Sequence, residues 1–340
     1  MPLSEEMEKW YYETYGDPFA DPIGQEPKRG EQIFEGTDYP RDWDGFIGQE
    51  GAKHQLRVQV ASAKARGTRI EHTLLASGLA GVGKSTLAHL LAYQAGVGLI
   101  QTTGPLTADE FRTLAKSCQD GDVILIDEIH MLATGNKNKS DWLLPVMSEG
   151  KFFGSRGAEK LPNIAIIGAT TDVGKLPDTL ISRFMVKPNI ERYTEDEAAL
   201  IAGQLARRMD VPVDGDYLPR IARAADRNPR NMRSILTALR DLAVVDPDVP
   251  PDFALALKWS GLSEDGLTQV AQDILLLLLA ARDNTSSLDS LRAQLGEPGP
   301  LRAHEQQLLQ RGLIEITGRG RRLTDNGRSR AIQLVRERRS

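Results

Sequence analysis

Gly78-Leu79-Ala80-Gly81-Val82-Gly83-Lys84-Ser85 is the stretch that decides the fold of this chain. The apolar run from His72 to Ser77 precedes it and predicts a buried strand, and a helix is predicted from Lys84 to about Ala95. A strand, a Gly-x4-Gly-Lys-Ser loop and a helix in this order are the context of a phosphate-binding P-loop. A glycine-rich turn without a ligand is the alternative, but it gives no packing reason for the lysine and the serine.

The residues of this loop have complementary roles in the predicted site. Gly81 and Gly83 let backbone N–H groups converge on the β- and γ-phosphates, and the N-terminus of the following helix adds partial positive charge. Lys84 would bridge the β- and γ-phosphoryl oxygens, and the Ser85 hydroxyl would bind Mg²⁺. The stretch therefore predicts ATP and Mg²⁺ as ligands.

A second run, Val123 to Glu128, is apolar until it ends in two carboxylates. An apolar strand that carries acids only at its C-terminal end suits the active-site edge of a parallel sheet. Asp127 is predicted to orient Mg²⁺, mostly through its water shell, and Glu128 to polarise the attacking water. A strand that runs into an acidic turn is the weaker alternative, because a P-loop lies upstream.

Further strands and helices alternate around these two motifs. Ile164 to Ile167 predict a strand that delivers Gly168-Ala169-Thr170-Thr171, where a hydroxyl can hold the lytic water, although Thr-Thr is also ordinary turn chemistry. Val97 to Gln101 predict another strand. Capping-box spacing is present at Thr107 to Glu110 and, further along the chain, at Thr194 to Glu197, and each predicts the start of a helix. We therefore expect an α/β core with a doubly wound parallel sheet.

Composition excludes several classes of protein. Hydrophobic residues make up 40% of the chain, as in soluble globular proteins. The single cysteine, Cys118, excludes an internal disulfide framework and fits a reducing compartment. The N-terminus lacks a signal pattern, and the longest apolar run, Ile274 to Ala281, is too short to span a bilayer. We therefore expect a soluble, cytoplasmic protein.

The net charge of −5 is unevenly distributed along the chain. Acidic residues are concentrated in the first forty residues, whereas the last forty hold ten arginines and four acids. A basic end on an acidic chain suggests a local contact with nucleic acid, with a solvated charged tail as the alternative.

Changes in composition and in the order of predicted strands and helices divide the chain into four segments. Residues 1–37 form an acidic and aromatic arm without an assigned function, and residues 38–188 form the large ATPase domain. Residues 189–248 predict a small helical lid domain, and residues 249–340 a C-terminal winged-helix domain of three helices and a hairpin. The tip of this hairpin is Gly318-Arg319-Gly320, and arginine suits contacts with phosphates and base edges. We therefore expect DNA at the tip, with a solvated or protein-binding wing as the alternative.

Several motifs, taken in chain order, resemble the RuvB family, the AAA+ motors that drive branch migration of Holliday junctions. The resemblance runs from about Tyr39 to Val335. The motifs that carry it are Phe46-Ile47-Gly48-Gln49-Glu50, Gly78 to Thr86, Ile126-Asp127-Glu128-Ile129-His130, Gly168-Ala169-Thr170-Thr171, Ile181-Ser182-Arg183-Phe184, Asn228-Pro229-Arg230, Glu264-Asp265-Gly266-Leu267 and Thr317-Gly318-Arg319-Gly320-Arg321. The Walker motifs alone fit many ATPases, whereas the whole set in this order is far narrower.

The resemblance implies a role for each matching position. The nucleotide would be bound by Ile47, Gly81, Gly83, Lys84, Ser85, Thr86 and Tyr193. Mg²⁺ would be held by Ser85 and Asp127. Glu128 would complete the Walker B pair, with Thr171 as the sensor-1 residue. The DNA would be contacted by Arg319, Arg321 and Arg322.

The resemblance also implies roles for two further arginines. One would act on the ATP of a neighbouring subunit, and the other would sense the nucleotide state. Arg183 resembles the arginine finger supplied to the neighbouring subunit's ATP, which requires a ring, and the family's ring is a homo-hexamer. A trans arginine can contribute roughly 10³–10⁵ in rate. A salt bridge at a helix end is the alternative for Arg183. Arg230 resembles sensor 2, which reports the nucleotide state to the lid.

The chain departs from the family pattern at four places. Tyr39-Pro40 replaces the usual Arg-Pro, Ile316 replaces a basic residue before the wing, and the acidic arm is additional. The segment from Lys151 to Pro162, which in the family grips the junction-binding partner RuvA, is shorter than the family's. We therefore interpret the chain as a divergent member and leave a RuvA-type partner open.

The leading hypothesis is an ATP-hydrolysing motor that moves branched or duplex DNA through a ring in recombination and repair. An AAA+ replication initiator or helicase loader is the alternative, but residues 96–122 leave little room for the extra helix that such proteins usually need. A DNA-binding regulator that uses ATP only as a switch is a third reading. Glu128 disfavours it, because a switch needs no carboxylate that activates water.

Overall fold

The computed structural model describes residues 39–133, 140–154, 157–246, 249–296 and 301–338. The predicted N-terminal arm therefore lies outside the described residues. Contacts within the chain group it into two units, residues 1–193 and 194–340. The predicted winged helix and the predicted lid, apart from the first residues of the lid (189–193), belong to the second unit, because the division falls a few residues after the predicted end of the ATPase domain. None of the helices in these described ranges is both long and apolar enough to cross a membrane.

The first unit alternates helices and strands. In chain order its described elements are α1 (Glu50–Arg66), β1 (Thr73–Ala76), α2 (Lys84–Ala95), β2 (Leu99–Thr103), α3 (Ala108–Ser117), β3 (Val123–Asp127), α4 (Leu143–Glu149), β4 (Lys151–Gly154), β5 (Gly157–Lys160), β6 (Ala165–Thr170) and α5 (Asp178–Ile181). A short 3₁₀ helix, Ile129–Ala133, follows β3.

A four-stranded parallel sheet, in the order β1-β6-β3-β2, forms the centre of this unit. Beyond β1, isolated parallel bridges join Val186 to Thr73 and Asn189 to Ala76. β6 is buried along its whole length and β3 along all but its last residue, as expected for strands covered on both faces. The carboxyl ends of β1, β3 and β6 lie side by side, so the P-loop, the Walker B acids and the Gly-Ala-Thr-Thr segment meet at one edge.

Two helix starts predicted by capping boxes are confirmed. The Thr107 side chain accepts from the Glu110 backbone N–H, and the Glu110 carboxylate accepts from the Thr107 backbone N–H at 2.8 Å. This backbone hydrogen bond, followed by one from the Thr107 hydroxyl, lowers the pKa of Glu110. Thr194 and Glu197 form the same box at the start of the second unit.

The β2 strand starts later than predicted. The sequence predicts a strand from Val97, but β2 begins at Leu99 because Val97 closes the end of α2 with a backbone bond to Ala92. The Gly98 backbone N–H donates to Asp122 at 2.9 Å, which turns the chain before the strand begins.

The second unit is helical and ends in a small sheet. In chain order its described elements are α6 (Glu195–Arg208), α7 (Tyr217–Ala224), α8 (Pro229–Val245), α9 (Phe253–Trp259), α10 (Gln269–Ala280), β7 (Thr285–Ser286), α11 (Leu288–Leu295), α12 (Arg302–Gln310), β8 (Ile314–Thr317), β9 (Gly320–Leu323) and α13 (Asp325–Glu337).

The C-terminal part of this unit is a winged helix. Its antiparallel sheet has the order β7-β9-β8, and a cluster of leucines from α10, α11 and α12 forms its core. The predicted helices and hairpin are all present, and α13 packs Ala331 and Leu334 into the same core. The fold class predicted from the sequence is therefore confirmed.

Candidate nucleotide and DNA sites

The loop between β1 and α2 has a backbone that only glycine adopts easily. Gly81 has a φ of 74° and Gly83 a φ of 87°, both left-handed. A Cβ on Gly83 would lie 3.1 Å from Phe46 Cζ and 3.2 Å from Tyr193 Oη. The loop is therefore closely packed against a phenylalanine and a tyrosine, and its glycines keep the backbone accessible to a phosphate.

Lys84 is the first residue of α2 and is only 6% exposed. Its ammonium donates a hydrogen bond to the Leu79 carbonyl at 2.8 Å, so the charge lies over the loop that precedes it. The side chain is thus held beside the N-terminus of a 12-residue helix, where two sources of positive charge coincide. This arrangement fits the phosphates of a nucleotide.

Ser85 and Asp127 lie next to each other at the edge of the sheet. The Ser85 hydroxyl donates to Asp127 Oδ2 at 2.9 Å, and Asp127 Oδ1 accepts from the Glu128 backbone N–H at 3.0 Å. A hydroxyl and a carboxylate together are the oxygen donors that Mg²⁺ prefers. These residues therefore fit the predicted metal ion.

Glu128 directly follows β3 and is held by Thr171, which directly follows β6. Its Oε2 accepts from the Thr171 hydroxyl at 3.0 Å and from the Thr171 backbone N–H at 3.3 Å. Its φ of 48° is unusual for a residue with a side chain, and such conformations concentrate at functional sites. The structure thus brings the predicted water-activating carboxylate and the predicted sensor-1 residue together.

His130 belongs to the same cluster, although sequence reasoning assigned it no role. Its Nδ1 lies 3.2 Å from Glu128 Oε2 and 3.0 Å from the Thr170 hydroxyl, and the ring is buried. The signal that could have found it is its place two residues after Glu128, since the chain turns into a 3₁₀ helix there.

Tyr193 and Gln49 close the site from another side. The Tyr193 hydroxyl donates to the Val82 carbonyl at 3.0 Å, and the tyrosine is 3% exposed. The Gln49 side-chain amide makes two bonds with the Glu191 backbone, donating at 2.7 Å and accepting at 3.0 Å. The half-buried Ile47 precedes this glutamine by two residues. The P-loop is therefore tied to the segment that ends the first unit.

Three further residues were predicted to belong to the nucleotide site. Thr86 is half-buried in the first turn of α2. Arg183 is exposed just after α5. Arg230 belongs to the second unit, where it is exposed in the first turn of α8.

The three arginines predicted to bind DNA have different surroundings. Arg319 is exposed at the tip between β8 and β9. The Arg321 guanidinium donates to the buried Glu305 at 2.6 Å, and the Arg322 guanidinium donates to Glu315 at 2.7 Å. Arg319 is thus presented to solvent, whereas Arg321 also fastens the wing to α12.

A parallel sheet with a P-loop, a Walker B pair and a hydroxyl at the neighbouring strand end, followed by a helical unit with a winged helix, defines an AAA+ P-loop NTPase. Residues 39–190 match the family described as the Holliday junction DNA helicase RuvB P-loop domain. Residues 264–330 match the RuvB C-terminal winged helix domain. The chain belongs to the RuvB family, as its motifs predicted.

Relatives with RuvB names match this sequence over most of its length. The chain is 33% identical over 322 residues to the Holliday junction branch migration complex subunit RuvB of Rubrobacter xylanophilus, covering 90% of this chain and 89% of that one. It is 31% identical to the subunit of the same name from Kosmotoga olearia, covering 87% and 90%. Among solved structures, it resembles the Thermotoga maritima RuvB Holliday junction branch migration motor, with a TM-score of 0.73, 30% identity and coverage of 86% and 97%.

Proposed function

We propose that this chain is an ATP-hydrolysing DNA motor that acts on Holliday junctions or related branched or duplex DNA in recombination and repair. The observation that carries the proposal is the carboxylate of Glu128, held by Thr171 beside the Ser85–Asp127 pair. Membership of a family whose relatives are named for branch migration supports the choice of substrate. An initiator or helicase loader is the alternative class, whereas the two matching family models both describe RuvB domains.

The nucleotide in this proposal is ATP, bound by the P-loop. The Lys84 ammonium binds the β- and γ-phosphoryl oxygens, and the N–H groups around Gly81 and Gly83 surround the phosphates. Thr86, in the first turn of α2, adds a hydroxyl near the phosphates, and Ile47 and Tyr193 contact the rest of the nucleotide. Ser85 and Asp127 would hold Mg²⁺, which supplies charge neutralisation on the phosphoryl oxygens when bound.

Hydrolysis requires a water that is oriented and made more nucleophilic. Glu128 is proposed to accept a proton from this water, because Asp127, the other carboxylate at this strand end, already accepts from Ser85 and from a backbone N–H. The Thr171 hydroxyl donates to Oε2 and leaves the other oxygen of Glu128 to face the water. Catalysis of phosphoryl transfer is mostly positioning and electrostatics, so the rigidity of this contact matters directly.

Two further arginines have proposed roles towards the nucleotide. Arg183 is proposed to act on the ATP of a neighbouring subunit, which makes a closed ring, a homo-hexamer, the active assembly. Arg230, at the start of α8, is proposed to sense the nucleotide from the lid. Arg319 is the proposed primary DNA contact of the wing, and Arg322 and Arg321 add positive charge beside it.

A RuvA-type junction-binding protein is the partner that this proposal allows for. β4 and β5 pair as a hairpin, and Phe153 on it is 55% exposed. A cytoplasmic location accompanies the proposed role in DNA processing.

The proposal is tested by measuring ATP hydrolysis with a four-way junction, linear duplex and single-stranded DNA, each with and without a RuvA-type protein. We expect the junction or the duplex to stimulate hydrolysis and single strands to stimulate it least. Glu128→Gln should retain ATP binding and lose turnover, because only the acceptor for the water's proton is removed. An absence of turnover with all DNAs, in a protein that remains monomeric with ATP, would contradict the proposal.

A further inference from the structure

One motif of the sequence has no role in the chemistry above. Glu264-Asp265-Gly266-Leu267 lies in the second unit, ahead of α10 and far along the chain from the P-loop. In the structure this segment joins the winged helix to the turn that precedes α8. We call the contact between this segment, Arg311 and Asp226 the joint.

The centre of the joint is a half-buried ion pair. Arg311 Nη2 lies 2.6 Å from Asp226 Oδ1, and the two side chains are 21% and 22% exposed. The neighbouring Gln307 also donates to Asp226, at 3.3 Å, and to the Gly266 carbonyl, at 2.8 Å. Because this pair is partly buried, solvent and salt screen it less than the exposed pairs on the surface of the unit. It therefore contributes more to stability than they do.

The Asp265 side chain fastens the motif to α13. Arg330 donates to Asp265 twice, at 2.7 and 2.8 Å, while Arg311 donates to the Asp265 backbone carbonyl. Burial raises the pKa of Asp265, but hydrogen bonds from Arg330 and Ser263 and the charges of Arg330 and Arg311 outweigh it. The pKa is therefore below its ordinary value, and the carboxylate is charged at neutral pH.

Gly266 brings the two backbones into contact. Its φ of +81° is left-handed, and a Cβ there would lie 2.9 Å from the Arg223 carbonyl oxygen and 3.0 Å from that of Ala224. Both carbonyls belong to the end of α7. A side chain at this position would therefore push the winged helix away from the lid.

The lid side of the joint is the turn that begins α8. Asp226 and Arg227 are both left-handed, with φ of 54° and 57°, and Asn228 caps the helix by accepting from the Arg230 backbone N–H at 3.0 Å. On the other side, Arg311 lies between α12 and β8, the strand that leads to the wing tip. A short series of contacts therefore connects the start of α8 to the strand that leads to the wing.

We propose that the joint transmits the nucleotide state from the start of α8 to the winged helix, with Asp226, Arg311 and Gly266 as positioning residues. This inference rests on the proposed role of Arg230 as the nucleotide sensor. Because the joint is an ion pair and a close backbone contact, a movement of the α8 turn displaces the wing as a body. Nucleotide binding and DNA binding are then linked by a coupling free energy.

The test measures the affinity for a fluorescent four-way junction in the presence of ADP and of a non-hydrolysable ATP analogue. For the wild type we expect the two affinities to differ by about fivefold or more. Asp226→Asn, Arg311→Gln and Gly266→Ala should bring this ratio close to one while nucleotide affinity stays unchanged. The double variant of Asp226 and Arg311 should lose no more than either single variant, because both remove the same contact.

Two matched controls separate the joint from general damage. Asp241→Asn removes the acid of an exposed ion pair with Arg240 on α8, and Gly261→Ala introduces a side chain at a φ of +66° where a Cβ meets nothing within 4 Å. Both should keep the wild-type ratio, and thermal unfolding verifies that each variant is folded.

The outcomes also separate this inference from the proposed function. If the wild type binds the junction equally well with ADP and with the ATP analogue, or if the joint variants keep the wild-type ratio of the two affinities, the proposed role of the joint is wrong. A wild type that hydrolyses no ATP but shows the nucleotide-dependent ratio would remove the motor function and support the joint.

Discussion

At the scale of single residues, the contact between Glu128 and Thr171 bears most directly on hydrolysis. Glu128 is held with a left-handed backbone at the end of β3, and its carboxylate accepts two hydrogen bonds from Thr171. The backbone N–H is present in every substitution of Thr171 except proline, whereas the hydroxyl is lost unless serine replaces it. The two bonds can therefore be separated experimentally.

Thr171→Val should lower kcat by about tenfold to a hundredfold with little change in ATP affinity, because it removes the hydroxyl that orients the proposed base. Thr171→Ser should recover most of the rate, since it restores a hydroxyl at the same position. Steady-state hydrolysis combined with a binding measurement distinguishes the two effects. Equal kcat values for the valine and serine variants would show that the hydroxyl does not act through Glu128.

Residues in local patterns were predictable, and residues that act through distant contacts were not. Lys84, Ser85 and Asp127 lie in short motifs whose spacing alone predicts a phosphate and a metal ion. The bonds between Gln49 and Glu191 span 142 residues, so only the folded chain reveals them. His130 escaped for a similar reason, because its partner Thr170 lies on another strand.

At the scale of elements, His72 fastens β1 to its surroundings. Its Nδ1 accepts from the Ile166 backbone N–H at 2.9 Å, so Nε2 carries the proton and donates to the Met147 carbonyl at 3.0 Å. Burial, and then the charge of Arg69, lower the pKa of His72 to about 4, although the bond to Met147 raises it. The imidazole is therefore neutral in the folded protein well below its ordinary pKa of 6.5.

Stability of the first unit should decrease as the pH falls from about 6.5 to about 4. In this window the unfolded chain protonates His72 and the folded chain does not, so each step down in pH favours unfolding. The full contribution is roughly 3 kcal/mol. Urea unfolding across this range should show that the free energy of unfolding falls with decreasing pH in the wild type, and that it falls less steeply in His72→Gln.

His54→Gln is the matched control, because His54 is exposed on α1. This variant should keep the wild-type pH dependence. If the free energy of unfolding depends on pH equally steeply in the wild type and in His72→Gln, His72 is not the source of the pH dependence.

Elements were predictable where capping residues and apolar periodicity coincide. The helices that begin after Thr107 and Thr194 show both signals, and both are present. α13 was missed because most of its residues are polar or charged and only Gly327, Ala331 and Leu334 are buried. α9 was missed because it is short and prolines precede it.

At the scale of the whole molecule, the proposed ring requires that one subunit complete the site of the next. Arg183 is exposed in the first unit, whereas Lys84 is buried in the P-loop of the same unit. Each can therefore be removed without disturbing the other, and the two losses fall on different subunits of a mixed assembly.

Arg183→Ala and Lys84→Ala should each abolish turnover when present alone. In a 1:1 mixture, about a quarter of the interfaces would combine an intact P-loop with an intact Arg183 from its neighbour, if assembly is random. Hydrolysis should therefore reappear at roughly that fraction of the wild-type rate. Mixtures that remain inactive at every ratio would contradict an arginine supplied in trans.

The hydrogen bond between Tyr193 and Val82 has a mechanical consequence. Tyr193 is the last residue of the first unit, and Thr194 caps the first helix of the second. A single side chain, that of Tyr193, thus links the phosphate loop to the residue at which the first unit ends. Its hydroxyl donates to the Val82 carbonyl at 3.0 Å. A displacement of the phosphate loop by even a fraction of an ångström therefore acts, through this one hydrogen bond, on the residue to which the second unit is covalently attached.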